Sequence, residues 1–223
     1  MERFDAIWQR AADRKGGDAA LEAMMPKIKS PDELRAISDD RWLAGMTKRI
    51  FQAGFVWKVI EAKWDGFEEA FEGFDPGRIM LMSDDDLDRL TSDKRIIRNG
   101  QKISAVLDNA GFIVDLANEH GSAGNFFADW PDDDFIGLLE VLKKRGSRLG
   151  GMTSSYFLRF MGKDSFIFNP DVNAALIKAG VVDKAPTSKT AQRKVQEAFN
   201  HWKTESGRSL AEISRTLACS IDA

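Results

Sequence analysis

The chain has 223 residues, 43% hydrophobic and 30% charged, with a formal net charge of −3. That length suits one domain or two tightly joined ones with a sizeable core, and no apolar run approaches the ~20 residues of a membrane span. One cysteine, Cys219, excludes an internal disulfide, and two histidines beside it leave no nitrogen–sulfur metal set, so no cofactor is expected. The opening Met1-Glu2-Arg3-Phe4-Asp5 lacks the apolar core of a signal peptide, which points to a cytoplasmic protein with no membrane partner. The acidic balance argues against indiscriminate nucleic-acid binding and leaves room for a local basic patch.

The pattern is helical along the whole chain, and the predicted class is all-α. Ile50, Ala53, Trp57 and Ile60 recur at helical spacing with Phe51, Phe55 and Val59 beside them, which predicts an apolar helix buried in the middle of the protein. Phe67, Ala70, Phe71 and Phe74 continue the period until Asp75-Pro76, an N-cap followed by an N1 proline. Ser83 to Asp86 reads as a capping box ahead of Leu87 and Leu90. A long stripe follows through Ile103, Val106, Leu107, Ala110 and Val114, and then Phe135, Leu138, Leu139 and Leu142 up to Gly146. The glycine-rich stretch Gly146-Ser147-Arg148-Leu149-Gly150-Gly151 leads into Tyr156, Phe157, Phe160 and Met161, closed by Gly162. Ser165 to Pro170 reads as extended, since proline disfavours helix in the residue before it. A helix from Asp171 to Ala179 stops at Gly180, Val195, Phe199 and Trp202 carry another, and Ser209 with Glu212 caps the last. The acidic runs Asp84–Asp86 and Asp132–Asp134 read as solvated helix starts.

Few residues carry chemistry. Glycines at 146–151 let a backbone approach a ligand closely, and amides opening the next helix form an anion site amid Lys143, Lys144, Arg145 and Arg148. The same features also describe a plain turn between antiparallel helices with basic residues at a helix C-terminus. Asp171 is either the N-cap of its helix or a carboxylate that stabilises a sugar cation or activates water. Gln52 in an apolar setting needs partners for its amide, and Trp57 is either core or the stacking surface of a pocket. His120, His201 and Cys219 have no supporting motif and read as surface or packing residues.

Four blocks resemble the bacterial DNA-3-methyladenine glycosylase I family, a branch of the helix–hairpin–helix glycosylases. They are Gln52-Ala53-Gly54-Phe55-Val56-Trp57; Phe67 to Pro76; Ile96-Ile97-Arg98-Asn99 with Lys102-Ile103, Ala105 and Asn109-Ala110; and Leu142 to Gly151 with Thr153. Together they cover roughly residues 47–162. The resemblance implies a single two-lobed helical glycosylase domain over 1–223, with the hairpin motif at about 134–162. A divergent N-terminal segment, 1–42, and a C-terminal helical segment, 171–223, flank the region of likeness. It implies hydrolysis of the N-glycosidic bond of alkylated purines in double-stranded DNA by a monomeric, monofunctional enzyme. Trp57 and Gln52 would form the base pocket, and Lys144, Arg148, Gly150, Gly151 and Thr153 would hold DNA.

The chain also departs from the family. Its zinc site of two cysteines and two histidines has no ligands here, and its aromatic N-terminal segment has no counterpart in the first forty residues. Its base-reading glutamate lies three residues before the glutamine of the first block, which is Arg49 in this chain. Asp171 falls about where the wider superfamily keeps a catalytic aspartate, and Met152 stands where a lyase would place its lysine. A non-catalytic DNA-binding protein that recognises distorted DNA through the hairpin is the alternative, and a purely helical interaction protein is the third.

Overall fold

The computed structural model describes residues 1–221, so the last two positions of the expected segment 171–223 lie outside the described residues. Among these residues every regular element is a helix, in agreement with the all-α expectation. The chain divides into two compact units. A central unit comprises residues 30–130 and 139–161, and a terminal unit comprises 1–29, 131–138 and 162–221.

The central unit is organised by helices Asp39–Gln52 and Gly100–His120, with Met152–Met161 packed on the former. Trp42 anchors this core, its ring stacked 4.3 Å from Phe127 and edge-on to Phe157 at 5.8 Å. Phe51, Phe67, Phe71 and Phe74 are fully buried in the same unit. Several local signals act as read. Asp75 accepts from the Arg78 amide at 3.1 Å with Pro76 next, Ser83 and Asp86 form their reciprocal box, and Asn99 caps the long helix through the Lys102 amide.

The terminal unit is built around Phe166, which stacks on Phe199 at 4.1 Å and meets Phe135 at 4.7 Å. Its N-terminal residues are tied to the Lys189–Ser206 helix, where Glu205 accepts from the Phe4 amide at 3.1 Å and Trp202 donates to the Glu2 carbonyl at 3.0 Å. Buried Asp164 accepts the amides of Leu210 at 3.0 Å and Ala211 at 2.8 Å, opening the Leu210–Cys219 helix beside the Ser209–Glu212 capping box.

Four local expectations are corrected. The predicted helix through Ile50 and Ile60 is broken: one helix ends at Gln52, Ala53 turns extended, Gly54 takes φ of 75°, and a new helix starts at Trp57. The apolar residues of this break are therefore on the surface rather than in the middle of the protein, with Phe55 and Trp57 about two fifths exposed. The Phe67–Phe74 run leaves the α-helix after Ala70, because Gly73 sits at φ of 72° inside a short 3-10 turn. Asp171 is not the N-cap of its helix. Asn169 is, accepting from the Val172 amide at 2.8 Å, with Pro170 at N1. Asp132 is not simply solvated either, since it bridges Lys163 at 3.1 Å and Lys203 at 3.2 Å.

Candidate functional site

The break after Gln52 lines a cavity in the central unit. A pocket of about 600 Å³ is lined by Arg49, Gln52 to Trp57, Met152, Thr153 and Tyr156. The sequence-predicted base-pocket residues Arg49, Gln52 and Trp57 thus share one wall system with hairpin residue Thr153.

Each wall has an identifiable support. Buried Lys102 donates its ammonium to the carbonyls of Phe51 at 3.2 Å and Ala53 at 2.7 Å, satisfying acceptors that the helix end leaves free. Burial, with the nearby charge of Arg148, holds this ammonium below the usual lysine range. Gln52 is 2% exposed, and its amide nitrogen donates to Glu61 at 2.9 Å. Glu61 in turn pairs with Lys48 at 2.6 Å, which fixes the amide's orientation and leaves the Gln52 carbonyl oxygen buried without a hydrogen-bond donor. The Trp57 ring meets Tyr156 edge-on at 5.6 Å and Phe160 at 5.7 Å, forming an aromatic rim. The Arg49 guanidinium lies 3.8 Å from the Phe160 ring centroid and 5.4 Å from that of Trp57. Burial lowers its affinity for the proton, against the attraction of Glu61.

The hairpin adjoins this pocket through Met152 and Thr153. Helix Phe135–Arg145 ends before Gly146, where an added Cβ would lie 2.8 Å from the Leu142 carbonyl oxygen, so close approach demands glycine there. Fully buried Asn109 holds the turn on both sides, donating to the Ser147 carbonyl at 3.0 Å and accepting from the Ser147 amide at 2.8 Å. Ser154 donates to the Leu149 carbonyl at 2.8 Å. Arg148 takes φ of 58° and donates to Gln101, and Gly151 also takes φ of 58°. Space above Gly151 is open, and a Cβ on Gly150 would touch only Lys143 at 3.9 Å. Lys143, Lys144 and Arg148 are exposed, whereas Arg145 is bound to Glu119 at 2.7 Å and adds less to the local field than the sequence suggests.

Asp171 belongs to the terminal unit, at the second position of helix Pro170–Lys178, partly exposed. Sequence reasoning named Lys102 and Asn109 only within the third block of likeness, without a role, and missed Glu61 altogether. Only the four-residue spacing of Met152, Tyr156 and Phe160 offered a signal for the rim, as one face of a single helix.

Comparison with known proteins gives a consistent result. Residues 36–137 match the family described as methyladenine glycosylase. A 59-residue segment is 37% identical to DNA-3-methyladenine glycosylase 1 of Escherichia coli, covering 26% of this chain and 32% of that one. The DNA-3-methyladenine glycosylase of Haemophilus influenzae is 28% identical over 130 residues, covering 50% of this chain and 70% of the relative. The crystal structure of the 8-oxoguanine DNA glycosylase of Methanocaldococcus jannaschii superposes with a TM-score of 0.57 at 14% identity, over 94% of this chain and 90% of that one, a likeness of fold.

Proposed function

We propose that this chain, whose residues 36–137 match the methyladenine glycosylase family, is a monofunctional DNA glycosylase acting on an alkylated purine in double-stranded DNA. The observation that carries this reading is the 600 Å³ pocket, which joins an aromatic rim, a buried unpaired acceptor on Gln52 and the hairpin's Thr153.

The chemistry follows from extrusion of the target nucleotide, since the bond to be cut is out of reach inside a stacked duplex. The extruded base stacks against Trp57, and the Gln52 carbonyl oxygen accepts one of its N–H groups, ending its own unpaired state. The hairpin anchors the flanking backbone: the open surface at Gly150 and Gly151 admits a phosphate to the amides that start the Met152–Met161 helix. Lys144, Arg148 and Thr153 then supply charge and a hydroxyl. Hydrolysis breaks the bond between sugar C1′ and the base nitrogen, with the electron pair leaving on the base. Water oxygen bonds to C1′ and releases a proton. Asp171 is assigned to the oxocarbenium-like sugar, where a fixed carboxylate lowers the barrier electrostatically. No lysine stands at the start of the hairpin's second helix, where Met152 is found, so the product is an abasic site without strand scission.

The test is mass spectrometry of bases released from methylated duplex DNA, with gel analysis of the strand. Release of a modified purine, with the strand intact until alkali is added, supports the reading. Tight binding to abasic-analogue duplex without any released base would overturn it in favour of a non-catalytic damage-binding protein.

A further inference from the structure

We infer that Arg49 directs this pocket toward a charge-neutral purine carrying an oxygen at C6 beside an unblocked N7, and away from a cationic N3-alkylated adenine. The inference takes the glycosylase reading as its setting and narrows the base: O6-methylguanine is an alkylated purine that fits, and hypoxanthine is an unalkylated probe of the same edge.

Arg49 is half-buried at the pocket wall, and its guanidinium has neither a hydrogen-bond nor an ion-pair partner among the described residues. Its planar group is stacked 3.8 Å from the Phe160 centroid, so the fork is held in place while its N–H edge stays unused. A desolvated donor edge without an acceptor is costly, and a ligand offering two adjacent acceptors would satisfy it. On a purine, adjacent acceptors occur at an oxygen on C6 and at N7, the pair that arginine reads bidentately. Gln52 also lines the pocket, and its buried carbonyl oxygen, which has no donor, is an acceptor that suits an N–H on the same ring.

The site is also wrong for a cation. Aromatic faces alone would favour a positively charged base, but here the Phe160 and Trp57 rings already face the Arg49 guanidinium. Glu61, the carboxylate whose field reaches Arg49, is itself bound by Lys48 at 2.6 Å and by Gln52 at 2.9 Å. A second positive charge would therefore meet a like charge across a partly desolvated gap. Adenine's C6 amino group has only N–H donors to offer the guanidinium, which accepts nothing.

Arg49 also answers the chemical problem that a neutral base presents. Such a base leaves as an anion when the C1′–N9 bond breaks with its electron pair. The charge spreads onto N7, and also onto the C6 oxygen where that oxygen is a carbonyl, on the edge facing the fork, where it is stabilised before water delivers the balancing proton to the base and its oxygen to C1′.

The experiment combines single-turnover release with direct base binding. Duplexes carrying hypoxanthine, O6-methylguanine or N3-methyladenine are compared for wild type, Arg49→Glu and Arg49→Gln. Quenching of tryptophan fluorescence by free hypoxanthine is measured in the same three proteins. The wild type is expected to release a C6-oxygen purine at least about tenfold faster than N3-methyladenine, with Arg49→Glu reversing the order and Arg49→Gln abolishing the preference. Hypoxanthine binding should weaken about tenfold or more in both variants. Faster release of N3-methyladenine by wild type overturns the inference and leaves the glycosylase reading intact. If no duplex loses a base, the glycosylase reading fails and the fluorescence titration decides the pocket alone. Arg49-dependent hypoxanthine binding then upholds the inference, and absent or Arg49-independent binding overturns it. Should Arg49→Glu fail to fold, the same comparisons are read from Arg49→Gln.

Discussion

Asn109 is the residue on which the hairpin's shape depends most directly. It lies inside the Gly100–His120 helix, fully buried, and clamps Ser147 through two bonds of 3.0 and 2.8 Å. Asn109→Ala removes both, and each is worth about 1 kcal/mol net. It also leaves the Ser147 amide and carbonyl without their protein partners. Ser147 is only half-buried, so water repairs part of that loss. The expected destabilisation is therefore about 2–3 kcal/mol, short of the sum of two full desolvation penalties. Urea unfolding should show a lower midpoint with an unchanged slope, and hydrogen exchange should quicken at the Ser147 amide first. DNA affinity should fall beyond the fraction unfolded, because the turn carrying Arg148 to Gly151 loses its anchor. Ser104→Ala, an exposed position of the same helix, should stay within about 0.5 kcal/mol of wild type. A loss below that figure in Asn109→Ala, with Ser147 protection unchanged, would refute the clamp.

Trp57→Ala should cost about 2 kcal/mol or less, below the ~3–5 of a fully buried ring, because the side chain is about two fifths exposed, yet it should abolish base release. Thermal unfolding and single-turnover excision together check this. Asp171→Asn should leave stability nearly unchanged, since Asn169 holds the cap, while slowing excision about 10²-fold; wild-type rates would reduce Asp171 to a helix-start charge. Stability should fall as pH drops below about 4.5. Arg10 holds Glu2 below its ordinary value of 4.5, Arg145 does the same for Glu119, and Asp132 is lowered from 3.8 because Lys163 and Lys203 outweigh the opposing effect of burial. The folded state thus binds fewer protons than the unfolded one in that window, so the stability these groups contribute at neutral pH is lost as acid protonates them. Asp164, raised from 3.8 by burial, contributes in the opposite sense, so Asp132→Asn should shrink the acid transition in pH-dependent urea midpoints without removing it.

Local signals were legible wherever they are self-contained. Helical periodicity gave the class, and Asp75, Ser83 and Ser209 cap where their side chains can reach their own helix amides, a matter of three residues in sequence. The glycine run marked the hairpin for the same reason, because Gly151 and its neighbours have backbone needs that do not depend on distant groups. The pocket was legible only as a set of residues. Periodicity through Ile50 and Ile60 favoured one continuous buried helix, and Gly54 alone was a weak sign against it. What satisfies the helix end at Gln52 is the ammonium of Lys102, some fifty residues away, which donates to the Phe51 and Ala53 carbonyls. Likewise Glu61 turns the Gln52 amide, Phe160 holds Arg49, and Asn109 fixes Ser147. A side chain's capping reach is short-range and written in adjacent residues, whereas the partner of a buried polar group is whichever element packs against it, and only the folded chain supplies that.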